Sequence, residues 1–178
     1  MDNHNKKIIE DAFEKILKGL ENNVDKNGTK DTPKRVSKAY EELLSGYDAD
    51  INKVINNALF DVEYDQIVIV KNIRFYSLCE HHMLPFFGKI DVGYLPNEKI
   101  IGLSKIPRIT KVFSRRLQVQ ERLTEQIGEC IYENTNAQGA GVVIKAQHLC
   151  SAMRGVNLPG TEMVTSSLFG SFKSDPST

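Results

Sequence analysis

Four histidines and three cysteines occur in this chain of 178 residues, and five of the seven fall in two short segments, Cys79-Glu80-His81-His82 and His148-Leu149-Cys150. Cys79 and His82 have the spacing that a turn can wrap around one ion. On a strand, residues two apart share a face, so His148 and Cys150 are expected to project into the same space. Cys79, His82 and Cys150 then form a set of two thiolates and one imidazole suited to zinc, with the fourth tetrahedral position left for water. Catalytic zinc sites keep that position open, whereas structural sites close it with a fourth protein ligand. His81 and His148 stand beside the ion, and because imidazole titrates at about 6.5, either could serve as acid or base.

A lone C-x-x-H is better explained by ordinary burial, and it is the second segment that reverses the balance in favour of a metal. A binding module that uses zinc as a staple would need a fourth ligand, for which no spare cysteine or histidine is evident. The H-x-E and P-C-x-x-C pattern of zinc nucleobase deaminases is absent. Cys130 falls on the inward stripe of an expected helix and reads as core; His4 lies in a polar stretch and reads as solvated.

A second group is Gly102-Leu103-Ser104-Lys105-Ile106-Pro107-Arg108, where an expected helix opens with a hydroxyl and two cations. Free N–H groups and the positive end of the helix dipole make this a phosphate seat, unless Ser104 merely caps and the cations are merely solvated. Arg154 adds a positive charge just after the second metal segment. Glu121 offers a carboxylate able to accept two hydrogen bonds, and is otherwise a helix-surface acid.

These residues need elements to hold them. Apolar pairs at Ile8/Ile9, Ala12/Phe13 and Ile16/Leu17, ending at Leu20, predict an amphipathic helix. Thr32-Pro33 predicts an N-cap and first helical position, followed by a buried face of Val36, Ala39, Tyr40, Leu43 and Leu44 up to Ser45-Gly46. A short helical piece is expected from Ile51 to Leu59. From Asp61 the character changes: Ile67 to Val70, Ile73 and Phe75 read as strand, and Ile90, Val92 and Tyr94 alternate with Lys89, Asp91 and Gly93. After a turn at residues 95–99 and a short strand at Ile100-Ile101, Ser104 is the expected N-cap of a helix with Ile106, Ile109, Val112 and Phe113 inward. A longer helix over residues 118–134, a strand from Val142 to Cys150 and another from Val164 to Phe172 complete the expectation. The chain divides into an N-terminal helical segment, 1–60, and a domain of strands and helices, 61–178.

Lys plus Arg and Asp plus Glu both number 23, so no net positive field favours a nucleic acid or an anionic membrane. With 40% apolar and 26% charged residues, the composition is that of a folded globular chain. The sequence contains no apolar run near the roughly 18 residues that span a bilayer, and Met1 to Lys7 is polar, so the cytoplasm is expected. Three cysteines in a chain of this length do not suggest a disulfide scaffold.

In five blocks the sequence resembles the GTP cyclohydrolase I family: Asp31-Thr32-Pro33-Lys34-Arg35-Val36, Cys79 to His82, Gly102 to Ile106, Gln118-Val119-Gln120-Glu121-Arg122-Leu123-Thr124, and His148 to Cys150 with Met153-Arg154-Gly155 after it. The resemblance implies conversion of GTP and water to 7,8-dihydroneopterin triphosphate and formate, the entry to folate and other pterins. It implies an α+β tunnelling fold, antiparallel sheet backed by helices, with an N-terminal helical segment. It also implies a homo-oligomeric ring, commonly a decamer of two pentamers, with active sites between subunits. Carried over by position, Cys79, His82 and Cys150 are Zn2+ ligands, and His81 and His148 transfer protons. Glu121 anchors guanine with Gln120 beside it, and Ser104 lies near the ribose and phosphates. Lys105, Arg108 and Arg154 match triphosphate contacts, as does Arg35, reaching in from a neighbouring subunit. A reductase sharing the tunnelling fold would not explain the three-ligand set. Leu117 stands where some members have proline, and the sequence stops at Thr178, where relatives continue into a charged helix.

Overall fold

A computed structural model describes residues 1–20 and 23–174; Thr178, where the terminal helix of relatives would follow, lies outside them. The helices are α1 (Asn3–Gly19), α2 (Lys26–Thr29), α3 (Thr32–Leu43), α4 (Ile51–Ile55), α5 (Lys105–Ser114), α6 (Gln120–Thr135), α7 (Leu149–Ala152) and α8 (Ser171–Ser174). The strands are β1 (Leu59–Asp61), β2 (Val68–Cys79), β3 (Pro85–Leu95), β4 (Lys99–Ile101), β5 (Leu117–Gln118), β6 (Gly139–His148) and β7 (Met163–Gly170). Five strands make one sheet in the order β5-β2-β3-β6-β7, while β1 and β4 form a separate ribbon. All neighbours in the large sheet are antiparallel except β2 and β5, whose parallel bridge joins Leu78 to Leu117 and Cys79 to Gln118.

The expected alternation positions the core. Ile90, Val92 and Tyr94 of β3 and Val142 and Ile144 of β6 are buried against one face, which α5 and α6 cover with Ile106, Ile109, Leu123, Ile127 and Ile131. Burying each such side chain contributes about 1.5–3 kcal/mol. Packing therefore holds α6, since Val119 at its N-cap provides no side-chain bond. Gly128 lets α6 approach β7: a Cβ there would stand 2.5 Å from the Phe169 ring.

The N-terminal helices pack loosely. None of α1 is buried; it lies on α3 through Ser37, whose hydroxyl donates to the Lys6 carbonyl at 2.9 Å, and through the Phe13–Tyr40 ring pair. On α3 only Pro33 and Ser37 are buried, and Ala39, expected inward, is exposed. Asp31, not Thr32, is the N-cap residue. The helix expected over Ile51–Leu59 stops at Ile55 because Asn56 turns left-handed, with φ of 46°, and Leu59 enters β1. That strand spans the boundary expected at residues 60 and 61.

Two further differences affect the site. Gln118 belongs to β5 and the helix starts at Gln120, because the parallel bridge to β2 extends this segment first. The strand expected to reach Cys150 ends at His148, paired with Phe86, and the chain then coils into α7. Cys150 therefore does not share a pleat face with His148. The last expected strand likewise ends at Gly170, where φ of 57° turns the chain into α8 and sets Phe172 over Gly139 and Gly141.

Candidate active site

Cys79 is the last residue of β2 and begins the turn that leads to β3. Its carbonyl accepts from the N–H groups of His82 at 3.3 Å and Met83 at 2.7 Å, and its own N–H donates to the Leu84 carbonyl at 2.9 Å. Met83 takes φ of 55°, a left-handed conformation that closes the turn. The ring of His82 is thereby folded back over Cys79, with Nδ1 3.9 Å from Sγ. From the other side, α7 carries Cys150 in, so the donor atoms of Cys79, His82 and Cys150 all lie within 4.8 Å of one another.

The donor set fits a metal ion. With metal–ligand lengths of about 2.0–2.3 Å, a tetrahedral site needs donors roughly 3.5–3.8 Å apart, a contraction within side-chain reach. Burial raises the pKa of Cys150, the adjacent Cys79 thiol raises it further, and Arg154 pulls weakly the other way. A divalent cation between the two sulfurs would favour their thiolate forms. Cys130 is separate: it is buried in the core, where burial pushes its thiol up to about 11.

His148 is held on three sides. Its ring stacks on Phe86, centroids 4.7 Å apart and planes 7° from parallel. Its Nε2 is 2.8 Å from Gln120 Oε1. The amide nitrogen of Gln120 faces three oxygens, the carbonyls of Ile144 and Met163 and the Thr165 hydroxyl, at 3.0–3.1 Å. That end of the amide must therefore be NH2, Oε1 must accept, and His148 must carry its proton on Nε2. Nδ1 is left as the free lone pair of the neutral ring. Burial lowers the His148 pKa and keeps the ring neutral, with nearby Glu121 opposing. Gln120, expected beside guanine, is 1% exposed and its amide is committed to these partners. The reach of this amide across two strands was not readable from spacing, nor was the Phe86 stack.

His81 is exposed, its Nδ1 3.9 Å from Cys79 Sγ and its Nε2 3.9 Å from a Glu80 oxygen. Glu80 receives both arms of Arg122 at 2.5 and 3.0 Å, and this guanidinium holds its carboxyl below the usual range. Arg154 Nη2 lies 2.6 Å from His82 Nε2. Glu121 is exposed in the first turn of α6, on the His148 side.

Ser104, Lys105, Arg108 and Arg35 are elsewhere. Ser104 precedes α5 in helical conformation without a side-chain cap bond, so the expected capping hydroxyl is free. Lys105 donates to the Val54 carbonyl at 2.9 Å, and with Lys53, Arg108, Lys111 and Arg115 it lines a cavity of about 460 Å³. This basic cavity runs along α5 from Lys105 to Arg115, and none of Cys79, His82 and Cys150 lines it. Arg35 is exposed on α3, 3.7 Å from Asp31. One chain thus brings the thiols of Cys79 and Cys150 and the imidazole of His82 together, with His81 and Arg154 in contact with them, while Lys105 and Arg108 line a different cavity.

Residues 9–178 match the family described as GTP cyclohydrolase I. A GTP cyclohydrolase 1 of Leptospira biflexa is 55% identical over 170 residues, 96% of this chain and 93% of the relative. Those of Campylobacter jejuni and Methylococcus capsulatus are 51% and 48% identical, covering 93% and 96% of this chain and 87% and 92% of the relatives. Among solved structures, an archaeosine synthase QueF-Like protein in the apo form superposes with a TM-score of 0.51 at 17% identity, over 61% of this chain and 97% of the other. That likeness establishes the tunnelling fold alone.

Proposed function

This chain belongs to the GTP cyclohydrolase I family, and from that premise we propose how its residues divide the conversion of GTP and water into 7,8-dihydroneopterin triphosphate and formate. The observation that carries the proposal is the meeting of two thiols and one imidazole from remote segments beside a neutral, oriented His148. Cys79, His82 and Cys150 hold zinc, with ferrous iron as the competing ion at such donors. Bound there, the ion supplies Lewis acidity and makes water a nucleophile near neutral pH. Were His82 to hold the ion through Nδ1, its ring proton would sit on Nε2, where Arg154 could not donate, and the guanidinium would be free for a phosphate.

Glu121 accepts hydrogen bonds from the guanine edge and sets C8 toward the metal. Opening the imidazole ring requires water to add at C8 while N7 gains a proton, and His148, with Nδ1 free, accepts the proton given up by that water and passes it to N7. A second water hydrolyses the resulting formamide to formate and an amine, and the later ring closure returns one water. The ribose then opens, undergoes an Amadori rearrangement and closes onto that amine, with proton transfers shared by His81, His148 and Ser104. Gln120 orients His148 from behind. Glu121→Ala is expected to reduce the preference for GTP over ATP by about tenfold or more, measured as a ratio of kcat/KM; an unchanged ratio removes Glu121 from guanine recognition.

None of the three clustered donors lines the basic cavity, which supports a site completed by a second copy, in which Ser104, Lys105 and Arg108 of one subunit and Arg35 of another meet the triphosphate. Open edges along β7 and along β2 beyond β5, with exposed Ile69, Val164 and Leu168, are consistent with strands joining into a ring, the decamer of the resemblance. In this reading residues 1–60 are the helical segment and 61–178 the catalytic domain. Among the described residues no helix is long and apolar enough to cross a membrane. Two thiol ligands suit a reducing compartment, and the cytoplasm is our assignment.

The test is complementation. Cys150→Ser and Arg108→Ala chains should each be inactive. Co-assembled in equal amounts, they should recover about one quarter of wild-type activity, because each site needs two intact contributions from different chains. No recovery in mixed oligomers would place the whole site in one subunit.

A further inference from the structure

We infer that the Glu80–Arg122 pair is a positioning clamp that fixes the metal-binding turn against the guanine-binding end of α6; the inference rests on the site assigned above. Both residues lie in the blocks that bear the chemistry, yet neither has a role there. The turn between β2 and β3 carries Cys79, His81 and His82, while α6 opens with Gln120 and Glu121. For water to add at C8, the distance between these two units must be held closely.

Three connections join them in sequence. The parallel bridge pairs Cys79 with Gln118, the Glu80 N–H donates to the Gln118 carbonyl at 3.0 Å, and the Glu80 carboxylate receives Arg122 in a two-pronged bond. The first two lie along the backbone and leave the turn free to hinge about β5. The side-chain pair adds a contact off that line, and a fork on a carboxylate fixes orientation as well as distance. Glu80 also stands 3.9 Å from His81 Nε2, so holding its carboxylate limits where that ring can go.

Local preference argues in the same direction. Arg122 occupies the third position of α6, within the positive end of the helix dipole, where an acid is favoured and a cation is not. An exposed ion pair adds little to stability, and these side chains are 31% and 44% exposed. The core already holds α6 to the sheet through Leu123 and Ile127. Geometry at the site is what the pair contributes.

Steady-state kinetics on the zinc-loaded oligomer test this with Glu80→Gln, Arg122→Gln, the double variant and the charge-reversed Glu80→Arg/Arg122→Glu. Each single variant should keep its zinc and its KM for GTP and lose about tenfold or more in kcat, the scale of a small misplacement of reacting groups. The double variant should be no slower than either single, and charge reversal should recover part of the loss. Single variants within twofold of wild type, kcat losses that merely follow zinc loss, or losses that multiply in the double variant would each overturn the clamp. Should Cys150→Ser remain active, the site assignment itself fails; should Cys150→Ser be dead while the Glu80 and Arg122 variants turn over normally, only the clamp fails.

Discussion

Cys150→Ser should yield a folded protein that has lost its metal and its ability to release formate together. The substitution exchanges a polarizable thiolate for a hydroxyl that does not ionise near neutral pH, and leaves one thiolate and one imidazole to hold the ion. Because a bound zinc lowers the pKa of water to about 7, its loss should reduce turnover by more than about a thousandfold. Elemental analysis beside formate release and pterin fluorescence measures both losses. Cys130→Ser is the control: that thiol is buried among core side chains, away from the cluster, so metal content should be unchanged. A Cys150→Ser protein without metal but with full activity would refute the assignment.

His148→Ala should separate what Cys150→Ser joins. His148 is not among the three clustered donors and its Nε2 is engaged by Gln120, so metal content should remain at the wild-type level. Removing a positioned acid or base costs about 10² to 10⁴ in rate, and ring opening should fall by that amount. The variant also leaves a void against Phe86. His148→Asn, which refills part of that space without a group that titrates near neutral pH, should be equally slow if proton transfer is what is missing. Recovery of activity in His148→Asn would reduce His148 to a packing residue.

How far these expectations could be read from residue order varies with the kind of contact. Ile90, Val92 and Tyr94 alternate as a half-buried strand must, and Leu123, Ile127 and Ile131 recur as a helical face must; both patterns are local and both elements formed. Boundaries were less legible where a tertiary partner decides them. Gln118 sits in helix-forming company, yet its pairing with Cys79 draws it into a strand. Cys150 follows a β-branched run, yet the sheet ends at the Phe86–His148 pair and the next residues coil. Gln120 and Arg122 gave no sign of their partners, since their hydrogen bonds cross 24 to 45 residues and are made through side-chain ends.

Residue types and spacing alone pointed to the donor set: two thiols and an imidazole in a chain with few of either suit a soft divalent ion, and donor identity does not depend on the path that brings donors together. The fold decided placement. It put Cys150 on a helical turn rather than a strand, set the proton of His148 on Nε2 through a buried amide, and kept Cys79, His82 and Cys150 out of the lining of the basic cavity. Each of these depends on the distance between atoms remote in the chain, and only packing against a shared core sets such distances.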